Sequence, residues 1–139
     1  MKTYEPIDHT ADIGIRVYGL SLKELFENAA QAAFDVIAKP LKTASPHDAQ
    51  TFKIQLKASN VEELLIRWLG ELLSLSDWKR IIFTKFDIRN FSETQMDGAV
   101  QGFPREYFGI LTEIKAVTYH ELKIKKEKNR YAVQIIFDV

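Results

Sequence analysis

The alternation of apolar and polar residues along the chain predicts two amphipathic helices. After Ser21, apolar residues recur at intervals of three and four as far as Ile37, which predicts a helix with one apolar face. Ser21 and Glu24 have the spacing of a capping box, and Pro40 lies just beyond the predicted end. Asn60 caps a second predicted helix, whose apolar stripe is Val61, Leu64, Leu65, Trp68, Leu69, Leu72 and Leu73.

Residues that are alternately apolar and polar predict the β-strands. The predicted strands cover the ranges 11–19, 52–58, 80–91, 94–103, 113–126 and 130–139. The predicted element order is therefore βαβαββββ. A mostly antiparallel sheet with both helices on one face would bury the two apolar helix faces. The predicted fold class is α+β, a two-layer sandwich formed by a single domain over residues 1–139.

Composition narrows the class of protein. With 46% hydrophobic residues in 139, the chain can bury a core, which excludes a disordered tail. The lack of Cys excludes a disulfide scaffold, Cys-ligated metal sites and thiol catalysis. The net charge of zero argues against broad phosphate-driven nucleic-acid binding and leaves room for a local basic patch. Without a membrane-spanning run or a signal-peptide core, we expect a soluble, cytoplasmic protein.

The placement of two aspartates is the most unusual chemical feature, because the sequence contains no Walker A, GxGxxG, HExxH or GxSxG motif. Asp12 begins an apolar strand, a position where Asp is disfavoured, and Asp138 follows the last apolar run. Together with the α-carboxylate of Val139, these oxygens would suit a hard cation such as Ca²⁺ or Mg²⁺. The alternatives are a turn-capping acid at Asp12 and a solvated chain end at Asp138.

Other polar residues near these motifs are weaker candidates. About 13 Å of extended chain separates Asp8 from the second Asp of DHTAD, so we expect Asp8 to contact a partner rather than the same ion. His9 and His120 could bind a transition metal with the acids, although a lone His in a strand is more often only hydrogen-bonded. Lys115 is either solvated or a partner or phosphate contact. The basic residues of 123–130 form a solvated hairpin tip or a patch for RNA or an acidic partner.

Five segments, taken together and in order, resemble the archease family over nearly the whole chain. They are DHTADIGI, SLKELFENAAQAAFDVI, VEELLIRWLGELL, IKAVTYHELKI and IIFDV. The combination of DHTAD, KAVTYH and the final FDV is more specific than any one segment. The stretch GFPRE at 102–106 departs from the Gly-Glu step and longer polar loop usual in the family, so no role is carried over to residues 102–113.

The resemblance implies a small cytoplasmic accessory protein rather than an enzyme. Archeases assist the GTP-dependent RNA ligase of tRNA splicing and RNA repair by promoting guanylylation of the ligase histidine and repeated turnover. The resemblance implies a metal site at Asp12, Asp138 and Val139, with Ca²⁺ expected and Mg²⁺ or Mn²⁺ as alternatives. We also expect partner contacts at Asp8, His9, Lys115 and His120, contact with RNA only through the ligase, and no contact with a membrane. A metal-dependent phosphoesterase using His120 as general acid and a holdase chaperone stay open as alternatives.

Overall fold

The structure is a computed structural model that describes residues 2–7, 12–119 and 121–139, and these contain two α-helices and ten β-strands. Short 3-10 helices at Pro46–Asp48 and Arg105–Tyr107 complete the described elements. In chain order the helices and strands are β1 (Tyr4–Ile7), β2 (Ile13–Gly19), α1 (Leu22–Ile37), β3 (Ala38–Pro40), β4 (Gln50–Lys57), α2 (Val61–Lys79), β5 (Ile81–Phe91), β6 (Gln95–Pro104), β7 (Phe108–Ile110), β8 (Ala116–Val117), β9 (Lys125–Glu127) and β10 (Arg130–Asp138).

Both α-helices begin at the predicted caps. The Ser21 hydroxyl accepts a hydrogen bond from the Glu24 backbone N–H at 3.1 Å, and the Asn60 side chain accepts one from the Glu63 N–H at 2.9 Å. Each such cap contributes about 1 kcal/mol to stability, because it satisfies a backbone donor that has no partner within its helix. Within the described ranges, neither helix combines the length and the apolarity that crossing a bilayer requires.

The strands form three sheets, and every pairing in them is antiparallel. The large sheet has the order β1-β2-β10-β8, with β9 also paired to β10. The small sheet has the order β4-β6-β5, and β3 pairs with β7 as a separate two-stranded ribbon. The large sheet therefore joins a strand near the start of the chain to the last strand.

The helices pack between the large and small sheets. α1 contacts both β2 and β5, and alanines on more than one side of it are fully buried, which lets both sheets approach closely. Trp68 of α2 is 0% exposed, and its indole N–H donates a hydrogen bond to the Phe26 carbonyl of α1 at 2.9 Å. This bond satisfies the one polar atom of the largest side chain in the core. Trp78, at the end of α2, is 74% exposed.

The predicted α+β class and the mostly antiparallel pairing are confirmed, but the element order differs from βαβαββββ. The predicted single sheet is divided, and β1, β3 and β7 are too short for apolar alternation to reveal them. The strand predicted over 113–126 forms only as β8 and β9. Between them, Glu121 has a φ of 53°, which is incompatible with a strand, and the Ile124 N–H donates to the Glu62 carboxylate of α2 instead of to a neighbouring strand.

Candidate functional site

The two aspartates predicted to bind a cation lie at the same end of the large sheet. β2 and β10 pair in antiparallel register, and the last pair of their ladder joins Ile13 to Phe137. Asp12 directly precedes this pair on one strand and Asp138 directly follows it on the other, so a register extended by one residue would set them opposite each other. Residues that face each other in an antiparallel ladder have Cα atoms within about 5.5 Å and side chains on the same face. The fold thus brings two acids from distant parts of the sequence to the same end of the large sheet.

This pair of acids belongs to the face of the large sheet that points away from the core. Ile135 and Phe137 are fully buried under the helices, and strand side chains alternate between the two faces. Asp138 is therefore on the outer face, where it is exposed, and Asp12 is half-buried. An ion or a partner molecule can reach the carboxylates from the outside without any change in the core.

Backbone hydrogen bonds to β8 hold the end of β10. Asp138 pairs in register with Ala116, and its carbonyl accepts a hydrogen bond from the Lys115 N–H at 2.7 Å. One step further, the Thr118 N–H donates to the Ile136 carbonyl at 2.9 Å. The KAVT segment therefore lies directly along β10. Lys115 is exposed and lines a groove of about 550 Å³ between α2 and the stretch that leads into β8.

Ile7, Gly14 and Ile136, which lie side by side on β1, β2 and β10, form a closely packed row near the acids. A Cβ on Gly14 would lie 2.5 Å from Ile7 Cγ1 and 3.1 Å from Ile136 Cδ1, so only glycine allows the three strands to approach here. In the same region, the Thr118 hydroxyl oxygen is buried and has no hydrogen-bond partner among the described residues. Sequence reasoning did not select either residue, although a glycine inside a strand often signals a close approach of backbone or side chains.

The two aspartates fit a hard divalent cation in chemical type but do not complete its coordination. Ca²⁺ takes six to eight oxygen ligands, and carboxylates are its usual protein ligands. No group of three or more His, Cys, Asp or Glu side chains in the described ranges is placed to hold a metal. Val139, which directly follows Asp138 and is 37% exposed, is the residue predicted to supply further oxygens.

Three of the predicted site residues, Asp8, His9 and His120, lie outside the described residues. Their predicted roles as partner contacts or metal ligands stay predictions. Of the others, Asp12 and Asp138 lie at the same end of the β2–β10 ladder, Val139 directly follows Asp138, and Lys115 is joined to Asp138 only through the backbone.

Two tyrosines hold the edge strand β1 in place beside this site. The Tyr4 hydroxyl donates a hydrogen bond to Asp35 of α1 at 2.7 Å, and burial together with this carboxylate raises the pKa of Tyr4 to about 12. The Tyr18 hydroxyl donates to Glu5 at 2.7 Å, and this hydrogen bond, helped by Lys2, lowers the pKa of the Glu5 carboxyl below its ordinary value. β1 is thereby anchored to both α1 and β2.

The sequence matches the profile of the Archease protein family (MTH1598/TM1083) over residues 4–139. The chain belongs to this family, as the sequence segments predicted. Among its relatives, the protein archease of Methanosarcina barkeri is 38% identical over 144 residues, which cover 99% of this chain and 97% of that one. The protein archease of Sulfurisphaera tokodaii is 38% identical over 143 residues, and the match covers both chains completely.

Solved structures share the fold. The solution structure of Methanobacterium thermoautotrophicum protein 1598 superposes with a TM-score of 0.75, at 32% identity and with both chains fully covered. The crystal structure of a Thermotoga maritima protein, described as an archease and possible chaperone, gives a TM-score of 0.69 with 97% of this chain and 96% of that one covered. At 22% identity this second likeness shows the fold alone.

Proposed function

We propose that this chain is an accessory protein that activates a GTP-dependent RNA ligase of tRNA splicing and RNA repair. In this role it promotes guanylylation of the ligase and repeated turnover in the cytoplasm, and it does not itself catalyse the reaction. Family membership supports the proposal, and the observation that carries it is the β2–β10 register, whose last pair, Ile13 with Phe137, is flanked by Asp12 and Asp138.

In this proposal Asp12, Asp138 and Val139 hold a divalent cation on the exposed face of the large sheet. When bound, the cation supplies positive charge that neutralises a triphosphate and favours departure of pyrophosphate. The ladder holds the backbone next to both acids, so less ordering of the chain would be needed when the partner arrives. Lys115 is exposed on the other face of this sheet edge, toward the groove beside α2, where it stays a predicted partner contact.

The direct test measures guanylylation of a purified ligase of this type with and without the accessory chain. Asp12→Ala and Asp138→Ala are each expected to reduce the stimulation at least about tenfold, because either change removes a ligand charge. Glu71→Ala, which removes an exposed carboxylate from α2, is the matched control and should stimulate as the unchanged chain does. Circular dichroism verifies that the variants are folded, and full stimulation by both Asp variants would overturn the proposal.

A second measurement tests the contribution of Val139. Calorimetric titration with Ca²⁺ or Mn²⁺ compares protein produced to end at Val139 with protein carrying extra residues after it. The extension converts the carboxylate of Val139 to an amide, so the affinity should fall, while an N-terminal extension should leave it unchanged. Equal affinity in the two C-terminal forms would remove Val139 from the proposed ligands.

The two alternative functions predict different results for the chain alone. A phosphoesterase would hydrolyse a simple phosphodiester without a ligase present. A holdase would suppress the aggregation of unrelated unfolded proteins and would tolerate Asp138→Ala. Either result, combined with no effect on ligase guanylylation, would replace the proposed function.

A further inference from the structure

A concave, positively charged surface lies at the other end of the large sheet, about 25 Å along β10 from Asp138. It is formed by the start of α1, the turn between β5 and β6, and the β9–β10 hairpin. We call it the cationic groove. Its volume is about 880 Å³, and its one acidic lining residue, Glu93, is outnumbered by five basic ones: Lys23, Arg89, Lys126, Lys128 and Arg130.

The positive charge continues on the other side of the β9–β10 hairpin. A second depression of about 570 Å³ shares Arg130 with the cationic groove and adds Arg16, Lys123 and Lys125, together with two acids, Glu121 and Glu127. Taken together, the two sides of the hairpin carry eight basic and three acidic residues. Because the whole chain has 19 of each, the remainder has 11 basic and 16 acidic residues, so the neutral protein is strongly polarised.

Several of these cations are available to an external anion. Lys23 and Lys128 form no ion pair with any residue in the described ranges. Arg130 and Arg89 are paired with Glu127 at 2.9 Å and Asp87 at 3.2 Å, but these are exposed ion pairs. Such pairs contribute less than about 1 kcal/mol, so the arginines can exchange these partners for phosphate.

The first turn of α1 adds to the positive electrostatic potential of the cationic groove. Ser21 and Leu22 line the groove, and the backbone N–H groups at the start of this 16-residue helix carry the positive end of its dipole. Lys23 extends from this turn. The helix thus adds to a cluster of cationic side chains that already converges on the groove.

We propose that the cationic groove and the adjoining β9–β10 hairpin bind the phosphate backbone of double-stranded RNA. No aromatic ring lies open in the groove for stacking on unpaired bases, since Phe91 and Tyr131 are half-buried and the Lys126 amine lies 5.6 Å above the Tyr131 ring. Cations on both sides of a short hairpin match the two rows of phosphate that border the wide, shallow minor groove of an A-form duplex.

This site is separate from Asp12 and Asp138 and does not depend on the proposed activation of a ligase. It also differs from the expectation that the protein reaches RNA only through its partner. Because the contacts are to phosphate, binding should depend weakly on base sequence and strongly on salt.

The test is fluorescence anisotropy of a labelled RNA duplex of about 20 base pairs titrated with the full chain. Lys126→Ala combined with Lys128→Ala should weaken binding about tenfold and reduce the slope of log affinity against log salt by about 2. Lys53→Ala combined with Lys85→Ala removes the same charge from exposed positions of the small sheet and is the matched control. Its binding should stay within about twofold of the unchanged chain.

Each other outcome overturns the proposal. An equal loss in the control variant would mean that overall charge, and not this groove, binds RNA. Displacement of the duplex by polyglutamate at the same concentration of negative charge would assign the groove to acidic polypeptides. Equal affinity for a DNA duplex of the same sequence would remove the A-form preference, and no binding at about 50 mM salt would remove the site.

Discussion

At one end of the β2–β10 ladder, the last pair, Ile13 with Phe137, is flanked by Asp12 and Asp138. At the other end, the cationic groove takes its charges from α1, from β5 and from the β9–β10 hairpin. The acidic end depends on one register and two short side chains, so a small displacement would separate the ligands. The cationic end sums many long, flexible side chains, so each one is replaceable. One substitution at the acidic end should therefore largely abolish cation binding, whereas each substitution at the cationic end should weaken anion binding only in part.

Among the variants that distinguish the acidic end from the cationic groove, Asp138→Asn should have the largest effect. The amide keeps the shape of the side chain and removes its charge, so the affinity for Ca²⁺ or Mn²⁺ should fall about 100-fold, or about 2.7 kcal/mol. Binding of the RNA duplex should remain within about twofold. Calorimetry and anisotropy on the same preparation measure both, and an undiminished cation affinity would contradict the assignment of Asp138.

A substitution in the row beside the acids should break the ladder locally. Gly14→Val places carbon atoms within 3 Å of Ile7, so we expect a loss of about 2 kcal/mol in the free energy of unfolding and a clear drop in cation affinity. Gly70→Ala is the control, because a Cβ there meets no atom within 4 Å, and it should stabilise α2 by about 0.5–1 kcal/mol. Urea denaturation measures both, and equal stability of the two variants would show that the row tolerates a side chain.

The Tyr4–Asp35 hydrogen bond, which anchors β1, should affect the stability of the fold without changing cation binding at the aspartates or RNA binding at the cationic groove. Tyr4→Phe removes the hydrogen bond to Asp35 and should lower the free energy of unfolding by about 1 kcal/mol at pH 7. The pKa of Tyr4 is raised from 10.0 to about 12 in the folded protein, so its contribution is fully present below pH 10 and is lost as the pH rises through 12. Urea denaturation at pH 7 and above pH 12 should show the difference between the two proteins disappear, and a constant difference would contradict the assigned role.

The smallest effect should come from one lysine at the cationic end. Lys128→Ala alone should weaken binding of the RNA duplex about threefold and lower the salt slope by about 1, because one phosphate contact is lost. Cation binding should not change. A loss as large as that of the double lysine variant would show that the groove acts through one dominant contact.

The helices could be predicted because their signals are local. Ser21 with Glu24 and Asn60 with Glu63 define each start within four residues, and the hydrogen bonds form as the spacing indicates. The division of the strands into three sheets could not be predicted, since it depends on contacts between distant residues. The bond from the Ile124 N–H to a carboxylate of α2 is of this kind, and it replaces a strand that the alternation of 113–126 favours.

The candidate site was accessible to sequence reasoning only in part. Asp12 and Asp138 could be selected because acids are unusual beside apolar strands, but their proximity depends on the pairing of β2 with β10, which only the fold reveals. The family resemblance implied that the two acids belong to one site. Gly14 and Thr118 were not selected, because their importance comes from neighbours on other strands.

The two tryptophans of α2 give the protein two independent optical reporters. Trp68, enclosed and bonded to the Phe26 carbonyl, should emit at short wavelength until the core itself unfolds. Trp78 should emit at long wavelength and be quenched readily by acrylamide. Single Trp→Phe replacements would separate the two signals, so that global unfolding and events near the end of α2 could be followed in one cuvette without any attached dye.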